Sequence, residues 1–241
     1  MKNEDYIKEP TNPKNALPDM DFFAKYPAPM FEAMFGQHIA DINTTSNYYG
    51  PLIYFIMKAN TSHNVLEIGM AQGWTSYFMA CAVHENNQRF GAGGYYYGCD
   101  ITDKTYIFDD MKAKGLTNIK NLNKDSLKIT KDDWVDPGIT LDLIFQDGWH
   151  STSYILDEWE LLMPFLKDNG NGYFIMHDVY AWGEEGYKLI KKKYPFMEHV
   201  AFMNNYGLAI FRNMKNFDYD KVHWPEGGQK PEYPKAEEIT S

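Results

Sequence analysis

Two short apolar runs end on side chains able to hold a cation. Leu143-Ile144-Phe145-Gln146 leads into Asp147-Gly148-Trp149-His150, and Ile175-Met176 leads into His177-Asp178. Carboxylates beside an imidazole suit a divalent ion, and oxygen donors favour magnesium or manganese; the imidazole keeps iron in view. If the two runs are neighbouring strands, Asp147, His177 and Asp178 converge on one ion at their carboxyl ends. Simpler roles exist for the same residues, since Asp178 could cap the next helix and His150 could pack in a loop.

A third segment carries a different chemistry. Val65-Leu66-Glu67-Ile68-Gly69-Met70-Ala71-Gln72-Gly73-Trp74 reads as a buried strand followed by a turn with small residues at alternate positions. Gly69, Ala71 and Gly73 let a ligand approach the backbone closely. The spacing is not G-x-G-x-x-G, so the dinucleotide fingerprint is missed. Glu67 would repel a pyrophosphate and attract a ligand bearing an ammonium group. Asp100, at the end of the next strand-like run, can accept hydrogen bonds from both ribose hydroxyls, although it or Asp103 could also cap the following helix. Asp125-Ser126, after a third run, can contact an adenine edge.

These residues need a scaffold that brings strand ends together. Strand-like runs at His63–Gly69, Gly94–Asp100, Asn118–Leu122, Leu141–Gln146 and Gly172–His177 alternate with helical patterns at Thr75–His84, Lys104–Lys114, Ser153–Leu166 and Glu184–Lys193. That alternation predicts βαβ units, a parallel sheet and helices on both faces. Glu198–Met203 and Leu208–Arg212 flank Asn204-Asn205-Tyr206-Gly207, which predicts an antiparallel hairpin at one sheet edge. The expected organisation is an N-terminal arm and helical cover over residues 1–60, a catalytic domain over 61–213 and a charged, Pro-rich tail over 214–241. Within the cover, Met30, Phe31, Met34, Phe35 and His38 repeat with helical spacing, and a second helix follows Ser46 with Pro51 in its early turns.

Composition narrows the partners. The 241 residues carry 23 Lys and Arg against 33 Asp and Glu, a net charge of −10 that disfavours nucleic acid as the main partner. No apolar run approaches the roughly 20 residues of a membrane span, and the first residues lack the apolar core of a secretory signal. With two cysteines, Cys81 and Cys99, both in apolar segments, a reducing, cytoplasmic setting is expected. There is no C-x-x-C, G-x-S-x-G or P-loop. A small-molecule substrate fits this balance; self-association into a homo-oligomer stays open.

Glu67-x-Gly69-x-Ala71-x-Gly73, the strand-end Asp100, Asp125-Ser126 and the terminal hairpin resemble the class I S-adenosylmethionine-dependent methyltransferases over residues 61–213. The resemblance implies an α/β, doubly wound, mostly parallel seven-stranded sheet ending in an antiparallel hairpin. It implies that Glu67, Gly69, Ala71 and Gly73 hold the methionine part, Asp100 the ribose, and Asp125 and Ser126 the adenine. Ala71 stands where a glycine is commoner. Asp147-x-x-His150 followed by His177-Asp178 further resembles metal-dependent sugar O-methyltransferases of the macrolide-tailoring type. There the implied roles are Asp147, His177 and Asp178 as ligands of Mg2+ or Mn2+ (Fe2+ less so), with His150 taking the acceptor's hydroxyl proton. Two other functions remain on the same fold: a metal-dependent hydroxylase, and a non-catalytic S-adenosylmethionine-binding domain.

Overall fold

The computed structural model describes residues 49–202 and 206–218. The expected arm and its Met30–His38 stripe, the turn residues 203–205 and the tail beyond 218 lie outside the described residues. Among those described, no helix is long and apolar enough to cross a membrane.

The elements are α1 (Tyr49–Ala59), β1 (Val65–Ile68), α2 (Trp74–Phe90), β2 (Tyr96–Asp100), α3 (Thr105–Ala113), β3 (Ile119–Asn123), β4 (Leu143–Gln146), α4 (Thr152–Leu162), β5 (Tyr173–His177), α5 (Glu184–Lys193), β6 (Met197–Phe202) and β7 (Leu208–Asn213). The sheet order is β3-β2-β1-β4-β5-β7-β6. The first five strands are parallel, and β7 lies antiparallel to both β5 and β6. This is the doubly wound sheet with its terminal hairpin at one edge, as the alternation and the Asn204–Gly207 turn chemistry predict. Strands β1 and β4 are buried along their whole length, which explains why VLEI and LIFQ read as continuous runs and do not alternate.

Register aligns the strand ends. Ile68 lies opposite Cys99 on one side and Gln146 on the other, and Gln146 lies opposite Met176. Asp147 N donates to Ile68 O at 2.8 Å and Gly69 N to Cys99 O at 2.9 Å, so the ladder continues into the functional turns. The order reverses at β1, with β2 to one side and β4 to the other. Doubly wound sheets open a ligand crevice at such a switch point.

Helix limits differ from the apolar pattern in two places. Helix α2 runs past His84 to Phe90 and stops at Gly91, whose φ is 67° and whose N–H bonds to Asn87 O. Its last turns are polar in sequence, yet Asn86 donates to Met57 O and Ser62 O, and Asn87 to Gly94 O, so the amides bind loop carbonyls in the interior. Helix α4 ends at Leu162, where a 3-10 turn over Met163–Phe165 takes over around Pro164, which has no N–H to continue the ladder. Helix α5 keeps its predicted bounds, with Glu184 and Glu185 in its first turn and three lysines in its last. Trp159 anchors the core, stacked on Phe174 with centroids 3.9 Å apart and edge-on to Phe211 at 5.0 Å.

Candidate active site

A cavity of about 500 Å³ opens at the carboxyl ends of β1, β2, β3 and β4. Its wall includes Gly69, Ala71, Asp100, Asp125, Ser126 and Asp147, together with Trp149 and Tyr154. The turn that forms its floor is held in left-handed backbone: φ is 80° at Gly69, 45° at Ala71 and 85° at Gly73. Glycine adopts these angles without strain; the Ala71 methyl makes its position a strained one.

Asp100 ties this turn to β2. Its carboxylate accepts from Met70 N at 2.9 Å, from Thr102 N at 2.8 Å and from Thr102 Oγ1 at 2.6 Å. Lys104 Nζ lies 3.6 Å away and donates to Ala71 O at 2.6 Å, bridging the two turns. Burial works against the Asp100 charge, but these hydrogen bonds and the Lys104 ammonium prevail and hold its pKa below the usual carboxylate range. The turn before α3 is closed by Asp103, which accepts from Thr105 N and Oγ1. Asp100 instead caps Thr102 and Met70 while lining the cavity.

Glu67 and Gly73 stand behind the wall. Glu67 is only 1% exposed and accepts from the Tyr96 hydroxyl, so it supports the turn from beneath. Burial pushes its pKa up to about 8, against the pull of the Tyr96 hydrogen bond. The folded state thus keeps a proton that the unfolded chain releases near the ordinary glutamate value of 4.5. Bound protons then exceed those of the unfolded state between these two values, so stability falls as pH rises through that window. Melting temperature should drop by roughly 5 °C or more between pH 6 and pH 8, and Glu67→Gln should flatten that slope in a thermal scan. An unchanged slope in the variant would assign the pH dependence to another group.

At the adjoining strand ends, Asp147, His150 and Asp178 each offer a ligand atom, all within 4.8 Å of one another. His150 Nε2 is 3.0 Å from Asp178 Oδ2, and its ring stacks on Trp182 with centroids 6.0 Å apart. His177 Nδ1 is 2.8 Å from Asp147 Oδ1 and 3.3 Å from Asp178 Oδ1. Burial lowers the His177 pKa, but Asp147 and Asp178 outweigh it and lift it to about 10, while Asp178 falls to about 2. At neutral pH His177 is an imidazolium lodged between the two acids. Sequence reasoning made His177 the third ligand and kept His150 apart as the base. The geometry brings His150 into the ligand-sized group and sets His177 against the carboxylates from behind. Asp178 Oδ1 and His177 Nε2 are buried without a hydrogen bond, and Asp178 has a left-handed φ of 58°.

Three residues of this region escaped the sequence reading: Lys104, Tyr154 and Glu158. Tyr154 OH donates to Asp125 Oδ1 at 2.5 Å, and Asp125 also accepts from Leu127 N. Glu158 is fully buried and accepts from Ser126 and Gln146; burial pushes its pKa up to about 7 against those bonds. One signal was available. Glu158 sits beside Ile155, Trp159 and Leu162, the buried stripe of α4, where a carboxylate needs a partner.

Comparison with known proteins agrees with this fold. Residues 66–179 match the family model described as a methyltransferase domain. None of the curated proteins matches the chain. Among solved structures, a methyltransferase from Geobacter sulfurreducens aligns with TM-score 0.59 and 16% identity, covering 83% of this chain and 93% of that one. An O-methyltransferase from Bacillus cereus, in complex with S-adenosylhomocysteine, aligns with TM-score 0.57 and 15% identity, covering 83% and 94%. The O-methyltransferase TomG of tomaymycin synthesis from Streptomyces achromogenes, solved with S-adenosylmethionine, aligns with TM-score 0.55 and 12% identity, covering 69% and 80%. At these identities the likeness speaks to fold, and the family match speaks to activity. Fold and family match together identify residues 66–179 as a methyltransferase domain.

Proposed function

We propose that the chain methylates a hydroxyl group of a small molecule, with a divalent cation, magnesium or manganese, held at the strand ends beside the cofactor. The observation that carries this reading is the double position of Asp147. It lines the cofactor-sized cavity and also belongs to the group with His150 and Asp178. A methyl donor in the cavity and a hydroxyl at that group would be neighbours, the proximity that an in-line displacement needs.

In this reading the turn Gly69–Gly73 takes the methionine part, Asp100 the ribose, and Asp125 and Ser126 the adenine edge. S-adenosylmethionine supplies an activated methyl on sulfur. The protein's own residues align the acceptor, exclude water and remove its proton. The Asp147 and Asp178 carboxylates would hold a magnesium- or manganese-sized ion and leave His150 to take the acceptor's proton; Asp178 Oδ1, 3.3 Å from the His177 ring but without a hydrogen bond, is an acceptor that such an ion would satisfy. The exposed rings of Trp149, Trp182 and Tyr206 near this end would form the acceptor's wall; Trp182 and Tyr206 lie 5.3 Å apart.

Titration calorimetry with S-adenosylhomocysteine tests the cofactor placement. The wild type should bind it and melt at a higher temperature in its presence. Asp100→Asn keeps the side chain's shape but removes its charge, and should weaken binding on the order of 10-fold to 100-fold. No binding at millimolar ligand, with NADH binding instead, would sink the reading.

A further inference from the structure

Behind the wall assigned to adenine runs a chain of hydrogen bonds that methyl transfer itself does not use. Glu158 accepts from Ser126 Oγ at one carboxylate oxygen and from Gln146 Nε2 at the other. Gln146 is not free to turn its amide. Trp159 Nε1, which can only donate, bonds to Gln146 Oε1 at 3.2 Å, leaving Nε2 for Glu158. On the cavity side, Tyr154 OH donates to Asp125 and lies 3.1 Å from Ser126 Oγ. Each hydroxyl has one proton. Tyr154 gives its proton to Asp125, and once Glu158 is ionised, above its pKa of about 7, Ser126 gives its own to Glu158. Ser126 therefore has only lone pairs left for the cavity it lines.

We propose that Glu158 is a positioning residue that fixes Ser126 as a hydrogen-bond acceptor and thereby selects a 6-aminopurine over a 6-oxopurine in the cofactor. This rests on the adenine placement proposed above. The exocyclic amine of adenine donates, whereas the carbonyl of hypoxanthine accepts. An acceptor at this point pairs with the first and opposes the second. The polarity starts at an indole N–H that cannot reverse, passes through Gln146 and Glu158, and ends at Ser126. Glu158, Gln146 and Trp159 are buried, so a reversed link would leave an unmatched group without water to satisfy it.

Glu158→Gln inverts the last link. With Gln146 Nε2 facing it, the introduced amide must turn its carbonyl to Gln146 and its NH2 to Ser126. The Ser126 hydroxyl then accepts from that amide and donates into the cavity. Calorimetric titration of the full chain at about pH 8.5, where Glu158 is ionised, with S-adenosylhomocysteine and with S-inosylhomocysteine, its 6-oxo analogue, reads the effect directly. The wild type should bind the 6-amino ligand tighter by on the order of 10-fold or more. Glu158→Gln should move the ratio of the two Kd values by about 10-fold to 100-fold towards the 6-oxo ligand. Ser126→Ala should erase this share of the preference, and Glu158→Gln should add nothing to the ratio in that background. A carboxyl that only supports packing would weaken both ligands alike, and an unmoved ratio in Glu158→Gln overturns the proposal. Should that variant fail to fold, Ser126→Ala at the cavity wall decides: an unchanged ratio there also overturns it. A wild type that binds no S-adenosylhomocysteine would overturn the cofactor reading first, and this proposal with it.

Discussion

Gly69→Ala is expected to lose more than about 3 kcal/mol of stability, and with it the cofactor cavity. Two costs add at this position. The backbone stands at φ 80°, where an L side chain is strained by roughly 1–2 kcal/mol. A Cβ would also lie 2.5 Å from the Asp147 carbonyl carbon and 2.8 Å from Gly148 Cα. These are backbone atoms of the adjoining strand end, so no side chain can swing aside to relieve the clash. Asp147 N is bonded to Ile68 O, so the turns after β1 and β4 would have to separate together. Gly91→Ala is the matched control. It has φ 67° with nothing within 4 Å of an added Cβ, so only the conformational cost of about 1 kcal/mol applies. Urea unfolding of the two variants should separate them clearly; equal losses would mean that the β1 and β4 ends can part cheaply.

His150→Ala is expected to lower turnover on the order of 100-fold or more while leaving the Kd of S-adenosylhomocysteine nearly unchanged. His150 is held by Asp178 at 3.0 Å and by its stack on Trp182, outside the cavity wall proper. With an N–H at Nε2 bonded to Asp178, the other ring nitrogen carries the lone pair that accepts the substrate proton. A cation held with Asp147 and Asp178 would lower the pKa of the same hydroxyl, so the two aids act on one proton and should not add. Chelation should therefore reduce wild-type turnover, with magnesium or manganese restoring it, and should have much less effect on His150→Ala. Full activity of the variant removes the base. Turnover indifferent to exhaustive chelation removes the metal and leaves proton transfer and proximity. Loss of stability and cofactor affinity together would make His150 a packing residue.

The sequence by itself determined the architecture and the edge on which the chemistry lies. Apolar runs alternating with helical patterns require parallel strands, and the Asn204–Gly207 turn requires the hairpin, because both follow from local periodicity and turn stereochemistry. The small residues after Glu67 marked a turn that a ligand could approach closely, and Asp100, Asp125, Ser126, Asp147 and His150 stood at strand ends by position alone. Tertiary structure decided what those residues face. Strand register set Gly69 against Asp147, a pairing across 78 residues that no local pattern encodes. Burial turned Glu67 from a charge awaiting an ammonium into a proton-retaining support for the turn. Packing of α4 brought Glu158 to Ser126, 32 residues away, and drew Tyr154 to Asp125. It likewise placed His177 behind the carboxylates and His150 among them. Periodicity reports which side of an element is apolar. Protonation, hydrogen-bond polarity and ligand grouping depend on atoms from distant elements meeting within a few ångströms, and only the packed chain supplies those distances.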